Sequence, residues 1–247
     1  MNLYYIHLGL DYYDYIESNN ELRYEFQQHT NFIDDYFSKA IRKHKYRTDG
    51  TYNMISVEST EFEIKPTKLV GFGDVIRVNL PFDKNRYEKI KGTADCSYYL
   101  ELLEEGFKKA SEFKEIPLET LLNIIEGFKQ GGCKNEWVHK RKRFKEDNLE
   151  VVLICQFTTN YFQLVATINQ ISAKNELVSG VVIRTEVGVF IHEGMYKDVL
   201  VKDDEILITD KSDSPRIRIN KTKIFDGVLD YVVMGEKEIV EMLSYQI

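Results

Sequence analysis

The sequence predicts an α+β protein with mostly antiparallel sheets and an amphipathic helix pair packed on one face. Three observations indicate this class. Apolar residues recur at helical spacing in long segments of the first half, short alternating segments fill most of the second half, and short turns join them. Hydrophobic residues make up 43% of the 247 residues, so the chain can form a core without help from metals or crosslinks.

The first half of the chain combines one long helix with short strands. A short apolar run covers 3–8, and apolar positions at helical spacing predict an amphipathic helix over 20–45. Three extended segments are expected further on, at 54–57, 62–65 and 74–80. The last of these should end at Pro81, because proline cannot donate a hydrogen bond to a neighbouring strand. The glycines of 71–73 lack the third glycine of a dinucleotide-binding loop, so they indicate a turn.

The helix pair lies mid-chain. Thr93 is the expected N-cap of its first helix, and gaps of three and four residues place five apolar side chains on one stripe: Cys96, Leu100, Leu103, Phe107 and Ala110. Pro117 suits the first turn of the second helix, which Gly131 and Gly132 should end. Because about five residues join the two helices, we expect them to pack antiparallel against each other or on a common sheet.

The second half of the chain is predicted to consist mostly of strands. They are expected at 136–144, 149–157, 162–169, in two parts of 178–191, and as a hairpin of 199–201 and 206–209, before a short helix at 236–243. We expect a single α+β domain over 1–247. The alternative is a division near 131–133 into a mixed part, 1–132, and a strand-rich part, 133–247.

Composition and cysteine usage predict a cytoplasmic protein of bacterial type. No apolar run is long enough to cross a membrane, and the first residues lack the pattern of a secretory signal. The three cysteines are widely spaced and contain no Cys-x-x-Cys pair, so no disulfide framework is expected. Cys96 and Cys155 are predicted to be small buried side chains, which suits a reducing compartment.

Motifs of catalysis are scarce, and neither a metal nor a cofactor is expected. There is no Gly-Lys-Ser/Thr phosphate loop and no Gly-x-Ser-x-Gly elbow. The five histidines are too far apart for a zinc motif, and His192-Glu193 is only a dipeptide. The one enzyme-like signal is Glu63 and Lys65 on a predicted strand, since some Mg²⁺-dependent nucleases place an acid and Glu-x-Lys on adjacent strands. An alternating polar strand face explains the same residues.

A basic run occupies the predicted strand 136–144. It consists of four consecutive cations: Lys140, Arg141, Lys142 and Arg143. Alternation should place the two arginines on one face and the two lysines on the other. An edge strand carries such charges to block strand addition, whereas a nucleic-acid-binding patch would use them on phosphates. We favour the edge strand, because the formal net charge of the chain is −7.

The N-terminal region is acidic and rich in tyrosine. Residues 1–38 hold seven acidic residues against one arginine, and seven of the 16 tyrosines. Tyrosine is favoured at protein interfaces, and acidic charge accelerates the capture of a basic partner. Six residues are therefore candidates for partner binding: Asp11, Tyr12, Tyr13, Asp14, Asp34 and Asp35. The alternative is a solvated helix face with half-buried tyrosines.

These observations predict a non-enzymatic cytoplasmic protein that acts by binding another, basic protein. Its most concrete version is an immunity- or antitoxin-like inhibitor of a basic toxin. The alternatives are a Mg²⁺-dependent nuclease that uses Glu63 and Lys65, and a nucleic-acid-binding module that uses 140–143. No membrane partner is expected.

Overall fold

The computed structural model describes residues 1–71, 74–188 and 194–246, and its chain divides into two compact units, Met1–Asn135 and Glu136–Ile247. Helices account for 33% and antiparallel-rich sheets for 36%, which confirms the predicted α+β class. The boundary follows shortly after 131–133, where the sequence allows a division. None of the helices in the described part of the chain has both the length and the apolar character needed to span a bilayer.

In the first unit, helices pack around a four-stranded sheet. Its elements are β1 (Tyr5–Leu10), α1 (Tyr12–Tyr15), α2 (Asn20–His44), β2 (Met54–Thr60), β3 (Lys68–Val70), β4 (Val75–Pro81), α3 (Lys84–Ile90), α4 (Ser97–Phe113) and α5 (Leu118–Gln130). The strand order is β1-β2-β4-β3, in which β1, β2 and β4 are parallel and β3 is antiparallel to β4. Because three neighbouring strands run the same way, their carboxyl ends meet at one edge of the sheet.

The two faces of this sheet differ in chemistry. On one face, Leu8, Val57 and Val78 stand in register across β1, β2 and β4, and all three are buried. Helix α4 contacts these strands and α5, and Gly106 lets it approach, since a Cβ atom there would overlap Val57. The other face is polar, with Glu58 and Asn79 paired in register on β2 and β4. Strand alternation separates the two sets of side chains.

Helix α2 covers the free edge of β1 with polar side chains. Ser38 Oγ accepts a hydrogen bond from Ile6 N at 3.0 Å and donates one to Ile6 O at 3.2 Å. Asp34 Oδ1 accepts from Leu8 N at 2.9 Å, and Thr30 Oγ1 donates to Leu8 O at 3.1 Å. These contacts satisfy buried backbone groups that an edge strand would otherwise leave without partners.

The cysteines differ from the expectation. Cys96, at the N-cap of α4, forms a disulfide with Cys133, which follows the end of α5. The prediction that no disulfide would form is therefore wrong, although Cys96 is buried as predicted. The bond depends on the helix hairpin, which brings the start of α4 beside the end of α5, and cysteine spacing alone does not show this. Cys155 is buried and takes no part in this disulfide, which confirms the prediction of a small buried side chain for that residue.

The second unit contains two four-stranded sheets. Its elements are β5 (Asn135–Phe144), β6 (Leu149–Phe157), β7 (Tyr161–Gln170), β8 (Asn175–Glu186), β9 (Asp198–Lys202), β10 (Glu205–Thr209), β11 (Pro215–Asn220), α6 (Lys221–Ile224), β12 (Tyr231–Val233) and α7 (Lys237–Leu243). One sheet has the order β5-β6-β7-β8 and the other β12-β11-β10-β9. The pairs β6/β7, β7/β8 and all neighbours of the second sheet are antiparallel.

Several predicted elements are corrected by the structure. The segment 62–65, expected to be a strand, is a loop between β2 and β3. Helix α3 and strands β3, β11 and β12 were not predicted. Thr93 does not cap α4: its hydroxyl donates to Ile90 O at the end of α3. The range 178–191 holds one strand as far as Glu186, and residues 189–191 lie outside the described residues, as do Phe72 and Gly73 of the predicted turn.

Candidate functional site

The carboxyl edge of the parallel strands carries a dense polar cluster. Asp11, which is fully buried, follows β1 and caps α1: its Oδ1 accepts from Tyr13 N at 3.0 Å and from Asp14 N at 3.2 Å. An aspartate at this position satisfies amide groups that the first turn of a helix leaves free. The same edge is where open sheets with parallel strands place their ligand sites.

Lys65 joins the two aspartates of α1 to the sheet. Its Nζ lies 3.0 Å from Asp11 Oδ2 and 2.7 Å from Asp14 Oδ1. Asn79 Nδ2 donates to Asp11 Oδ2 at 3.2 Å, and Thr60 Oγ1 donates to Asp14 Oδ2 at 2.8 Å. Burial alone would raise the pKa of Asp14, but the hydrogen bonds from Lys65 and Thr60 lower it. All four carboxylate oxygens are therefore engaged inside the first unit.

Glu63 and Lys65, the residues of the nuclease alternative, lie in a loop and have different surroundings. Lys65 pairs with Asp11 and Asp14, whereas Glu63 is exposed and makes no ion pair with any described residue. The segment that holds them is a loop, and its alternation of polar and apolar residues reflects a chain crossing the sheet edge. Within 1–71, 74–188 and 194–246 there is no group of three or more His, Cys, Asp or Glu side chains suited to a metal. The dipeptide His192-Glu193 lies outside the described residues.

The other two acidic candidates for partner binding also have internal contacts. Asp34 Oδ2 lies 2.7 Å from His7 Nδ1. Asp35 Oδ2 lies 2.7 Å from Lys39 Nζ and 2.8 Å from Asn135 Nδ2. The structure thus does not bring the four predicted aspartates together as one exposed group: each is held by neighbours within the first unit.

The tyrosine candidates lie at the surface. Tyr12 is 47% exposed and Tyr13 68%, and their rings meet edge to face at 5.4 Å. The Arg23 guanidinium lies 5.2 Å from the Tyr12 ring centre and 4.4 Å from that of Tyr24, which is also exposed. The Arg77 guanidinium lies 5.2 Å from the Tyr13 ring centre. Two arginines therefore hold three exposed rings in place through cation–π contacts.

The loop 61–64, part of which the sequence predicts as a strand, adds further exposed residues to this surface. Phe62 is exposed and packs edge to face on the buried Tyr15 at 5.9 Å, and Glu61 Oε2 accepts from the Tyr15 hydroxyl at 3.3 Å. Glu17 and Glu21 are exposed and close to α1 in sequence, since Glu17 follows this helix and Glu21 lies in the first turn of α2. We define the tyrosine surface by its exposed members: Tyr12, Tyr13, Glu17, Glu21, Tyr24 and 61–64. The positions of these residues in the sequence are a signal for this surface, because the segments that follow neighbouring parallel strands meet at one edge of the sheet.

Charge is unbalanced on the tyrosine surface. Four exposed glutamates of this surface have no ion pair with any described residue: Glu17, Glu21, Glu61 and Glu63. Asp11 and Asp14 beneath them are neutralised in part by the single ammonium group of Lys65. A surface with rigid aromatic rings and unpaired carboxylates is complementary to a basic protein.

The basic run of β5 pairs with acids of the second unit. Arg141 and Arg143 contact Glu150 on one side, at 2.7 and 2.6 Å, and Lys140 and Lys142 contact Asp198 on the other, at 3.1 and 2.9 Å. Strand β5 stands at the end of its sheet, which confirms the predicted edge strand and the alternation of its charges.

The ion pairs with the lysines of β5 change the pKa of Asp198. Although burial alone would raise it, hydrogen bonds from Lys142 and the Val199 amide lower the pKa of Asp198 to about 2. All four cations contact a carboxylate, but they share only two, Glu150 and Asp198, so the ion pairs neutralise about half of the positive charge of this edge.

Comparison with known proteins gives no relative. No protein-family model matches the chain, and no similar curated protein or solved structure was found.

Proposed function

We propose that this protein is a binding protein whose tyrosine surface captures a basic protein partner. One observation carries the proposal: arginines hold three exposed tyrosine rings, and the short segments that define this surface carry four exposed glutamates that have no ion pair with any described residue. Tyrosine and arginine are the side chains most often found to dominate binding energy at interfaces. Unpaired acidic charge steers an oppositely charged partner and raises its association rate.

Preorganisation strengthens this proposal. Ordering a flexible side chain on binding costs free energy, about 1 kcal/mol for each group that is immobilised. The Tyr12, Tyr13 and Tyr24 rings are already positioned by Arg23 and Arg77, so a partner meets rings that lose little further freedom. Helix α1 is itself fixed to the sheet by Lys65 and Asn79.

A neighbouring cleft extends the acidic character. It has a volume of about 520 Å³ and shares Glu61 with the tyrosine surface. Its lining includes four acids against two cations, with two aromatic side chains: Glu61, Asp83, Glu101, Glu105, Lys84, Arg86, Phe82 and Tyr98. The Arg86 guanidinium lies 4.7 Å from the Tyr98 ring centre and 2.6 Å from Glu101, which leaves Glu61, Asp83 and Glu105 as the acids of the lining without an ion pair among the described residues. A lysine or arginine of a basic partner fits this environment.

The most specific version of the proposal is an immunity- or antitoxin-like inhibitor, with a basic toxin as the partner. Such an inhibitor works by covering a cationic substrate-binding surface with its own acids and aromatic rings. Charge complementarity supports this version, and it requires that complex formation abolish the partner's activity.

We place this protein in the cytoplasm as part of the same proposal. The disulfide between Cys96 and Cys133 argues for the opposite, because such bonds are rare in reducing compartments. Rapid alkylation of thiols in intact producing cells distinguishes the two. A cytoplasmic chain should have both cysteines labelled before any reductant is added. Protection of the pair, with only Cys155 labelled after denaturation, would place the chain in an oxidising compartment.

The test of binding compares matched variants in affinity purification from the producing cell. We expect the wild-type protein to retain a basic protein, and the variant Tyr13→Ala to lose it. Tyr4→Ala is the matched control, since Tyr4 is 40% exposed and precedes β1 at the opposite edge of the sheet. With the purified partner, loss of a dominant tyrosine should cost about 2 kcal/mol, which is about 30-fold in Kd.

Charge has its own test. Changing Glu17 and Glu21 to glutamine should slow association and flatten its dependence on salt. The control changes Glu112 of α4 and Glu119 of α5, which are also exposed, to glutamine, and it should leave the association rate and its salt dependence unchanged. Retention of the same partner by Tyr13→Ala, or a partner without net positive charge, would contradict the proposed surface.

A further inference from the structure

The polar face of the first sheet contains a buried carboxyl group with an unsatisfied oxygen. Glu58 on β2 is only 7% exposed. Its Oε1 lies 3.1 Å from Arg77 Nε and accepts a hydrogen bond from Ser56 Oγ at 3.0 Å. Its other oxygen, Oε2, is buried and has no hydrogen-bond partner among the described residues. A buried carboxylate oxygen without a donor is costly, so this group is poised to change its protonation state.

Arg77 connects this carboxyl group to the surface. The guanidinium that contacts Glu58 also lies 5.2 Å from the ring centre of Tyr13, the most exposed ring of the tyrosine surface. Only one side chain therefore separates a buried acid from an exposed ring of the proposed interface. Arg77 is itself mostly buried, with a side chain that is 13% exposed, so its position depends on its few contacts.

A second titratable pair lies next to Glu58 on the same face. His7 on β1 stands in register with Ser56 and Arg77 on the neighbouring strands. Its Nδ1 contacts Asp34 of α2, and its ring covers Gly9, where an added Cβ would lie 2.8 Å from Nε2. The charged and titratable groups that face Glu58 and His7 from the surrounding elements are Asp11, Arg23, Asp34 and Arg77.

The environment favours protonation of Glu58 at a higher pH than is usual for a glutamate. Burial raises the pKa of Glu58, and the charge of Asp11 raises it further, against the opposing effects of Arg77 and Ser56. For His7, burial alone would lower the pKa, but the charge and hydrogen bond of Asp34 raise it. Both pKa values are therefore raised, that of Glu58 by burial and that of His7 by Asp34.

We propose that Glu58 is a pH-dependent switch of the tyrosine surface. When ionised, Glu58 holds the Arg77 guanidinium against Tyr13. When protonated, it loses the charge that attracts Arg77, and the Tyr13 ring is released. The biological meaning of this switch rests on the proposed partner binding, which should weaken as the pH falls. The switch itself is a property of the free chain.

The experiment follows the Tyr13 ring in the free protein by NMR with ¹³C-labelled tyrosine, using Tyr13→Phe to assign the signal. In the wild-type protein, the ring resonance should shift with pH, with a midpoint above the ordinary glutamate pKa of about 4.3. In Glu58→Gln, which is neutral at every pH, the signal should stay at the low-pH position of the wild type. Glu112→Gln is the control and should keep the wild-type response.

Two further variants identify the group responsible. Arg77→Gln removes the side chain that links Glu58 to the Tyr13 ring, so the Tyr13 signal should lose its pH response. This variant tests the switch even if Glu58→Gln does not fold. His7→Gln should retain the response. A wild-type response in Glu58→Gln or in Arg77→Gln would overturn the switch, and so would its loss in His7→Gln. Because no partner is present, failure here leaves partner binding untouched, and failure to find a partner leaves the switch intact.

Discussion

Reduction of the disulfide between Cys96 and Cys133 should destabilise the first unit and spare the second. The two cysteines are 37 residues apart in sequence. Closing a loop of that length removes about 13 cal/mol/K of chain entropy from the unfolded state, which corresponds to about 4 kcal/mol at 25 °C. If urea unfolding of this unit has a slope of about 2 kcal/mol/M, the midpoint should fall by about 2 M.

Two spectroscopic signals separate the units in one experiment. The long helices α2, α4 and α5 all belong to the first unit, so the circular dichroism of helices follows its unfolding. Trp137, the single tryptophan of the chain, belongs to the second unit and supplies its fluorescence signal. Dithiothreitol should lower the midpoint of the first signal and leave the second unchanged.

Chemical counting of thiols provides the direct check. The unreduced, denatured chain should contain one reactive thiol, that of Cys155, and the reduced chain three. A variant that replaces Cys96 and Cys133 by serine should show the lowered midpoint without any reductant. Three thiols before reduction, or equal midpoints with and without dithiothreitol, would refute the reasoning.

Three further outcomes are expected from urea titrations. Gly106→Ala should destabilise the first unit by about 2 kcal/mol, because its methyl group would force α4 away from β2. Gly127→Ala on α5, where nothing lies within 4 Å of an added Cβ, should instead stabilise by about 0.5–1 kcal/mol. Lys65→Met should cost about 2 kcal/mol at neutral pH, since it removes charged hydrogen bonds to both aspartates of α1, and the exposed Lys68→Met is its control. Because the pKa of Asp14 is lowered in the folded chain, this stabilisation is present at neutral pH and is lost as the pH falls through that lowered pKa, so the two variants should converge in acid.

Local sequence was sufficient where an element carries its own signals. The predicted helix over 20–45 matches α2 within one residue, because an asparagine cap precedes it and a left-handed Lys45 ends it. The predicted strand 149–157 matches β6, and the predicted hairpin of 199–201 and 206–209 matches β9 and β10. In each case the hydrophobic period and the boundary signal lie within the element itself.

The site depended on contacts that the sequence does not display. Asp11 and Asp34 looked like members of one acidic surface, but one caps a helix and the other binds a strand edge. The alternation of polar and apolar residues around Glu63 and Lys65 predicts a strand, but this segment is a loop. In the loop, the Lys65 amide donates a hydrogen bond to the Asn79 side chain. Tyr12 and Tyr13, the tyrosine candidates for partner binding, are exposed, whereas Tyr15 of the same segment is buried, and the sequence does not distinguish them.

The polar stripe of α2 has a consequence for how this chain avoids association. Four helical residues advance about 6 Å and two strand residues about 6.6 Å, so Ser38 and Asp34 match Ile6 and Leu8 with little mismatch. A helix can therefore stand in for a missing strand over this distance, and it leaves no template there for another chain to extend. Deletion of any one residue between Asp34 and Ser38 would rotate the Ser38 hydroxyl by about 100° about the helix axis relative to Asp34, so that it no longer faces β1. The backbone groups of Ile6 would then be exposed at the edge of the sheet, where another chain could pair with them.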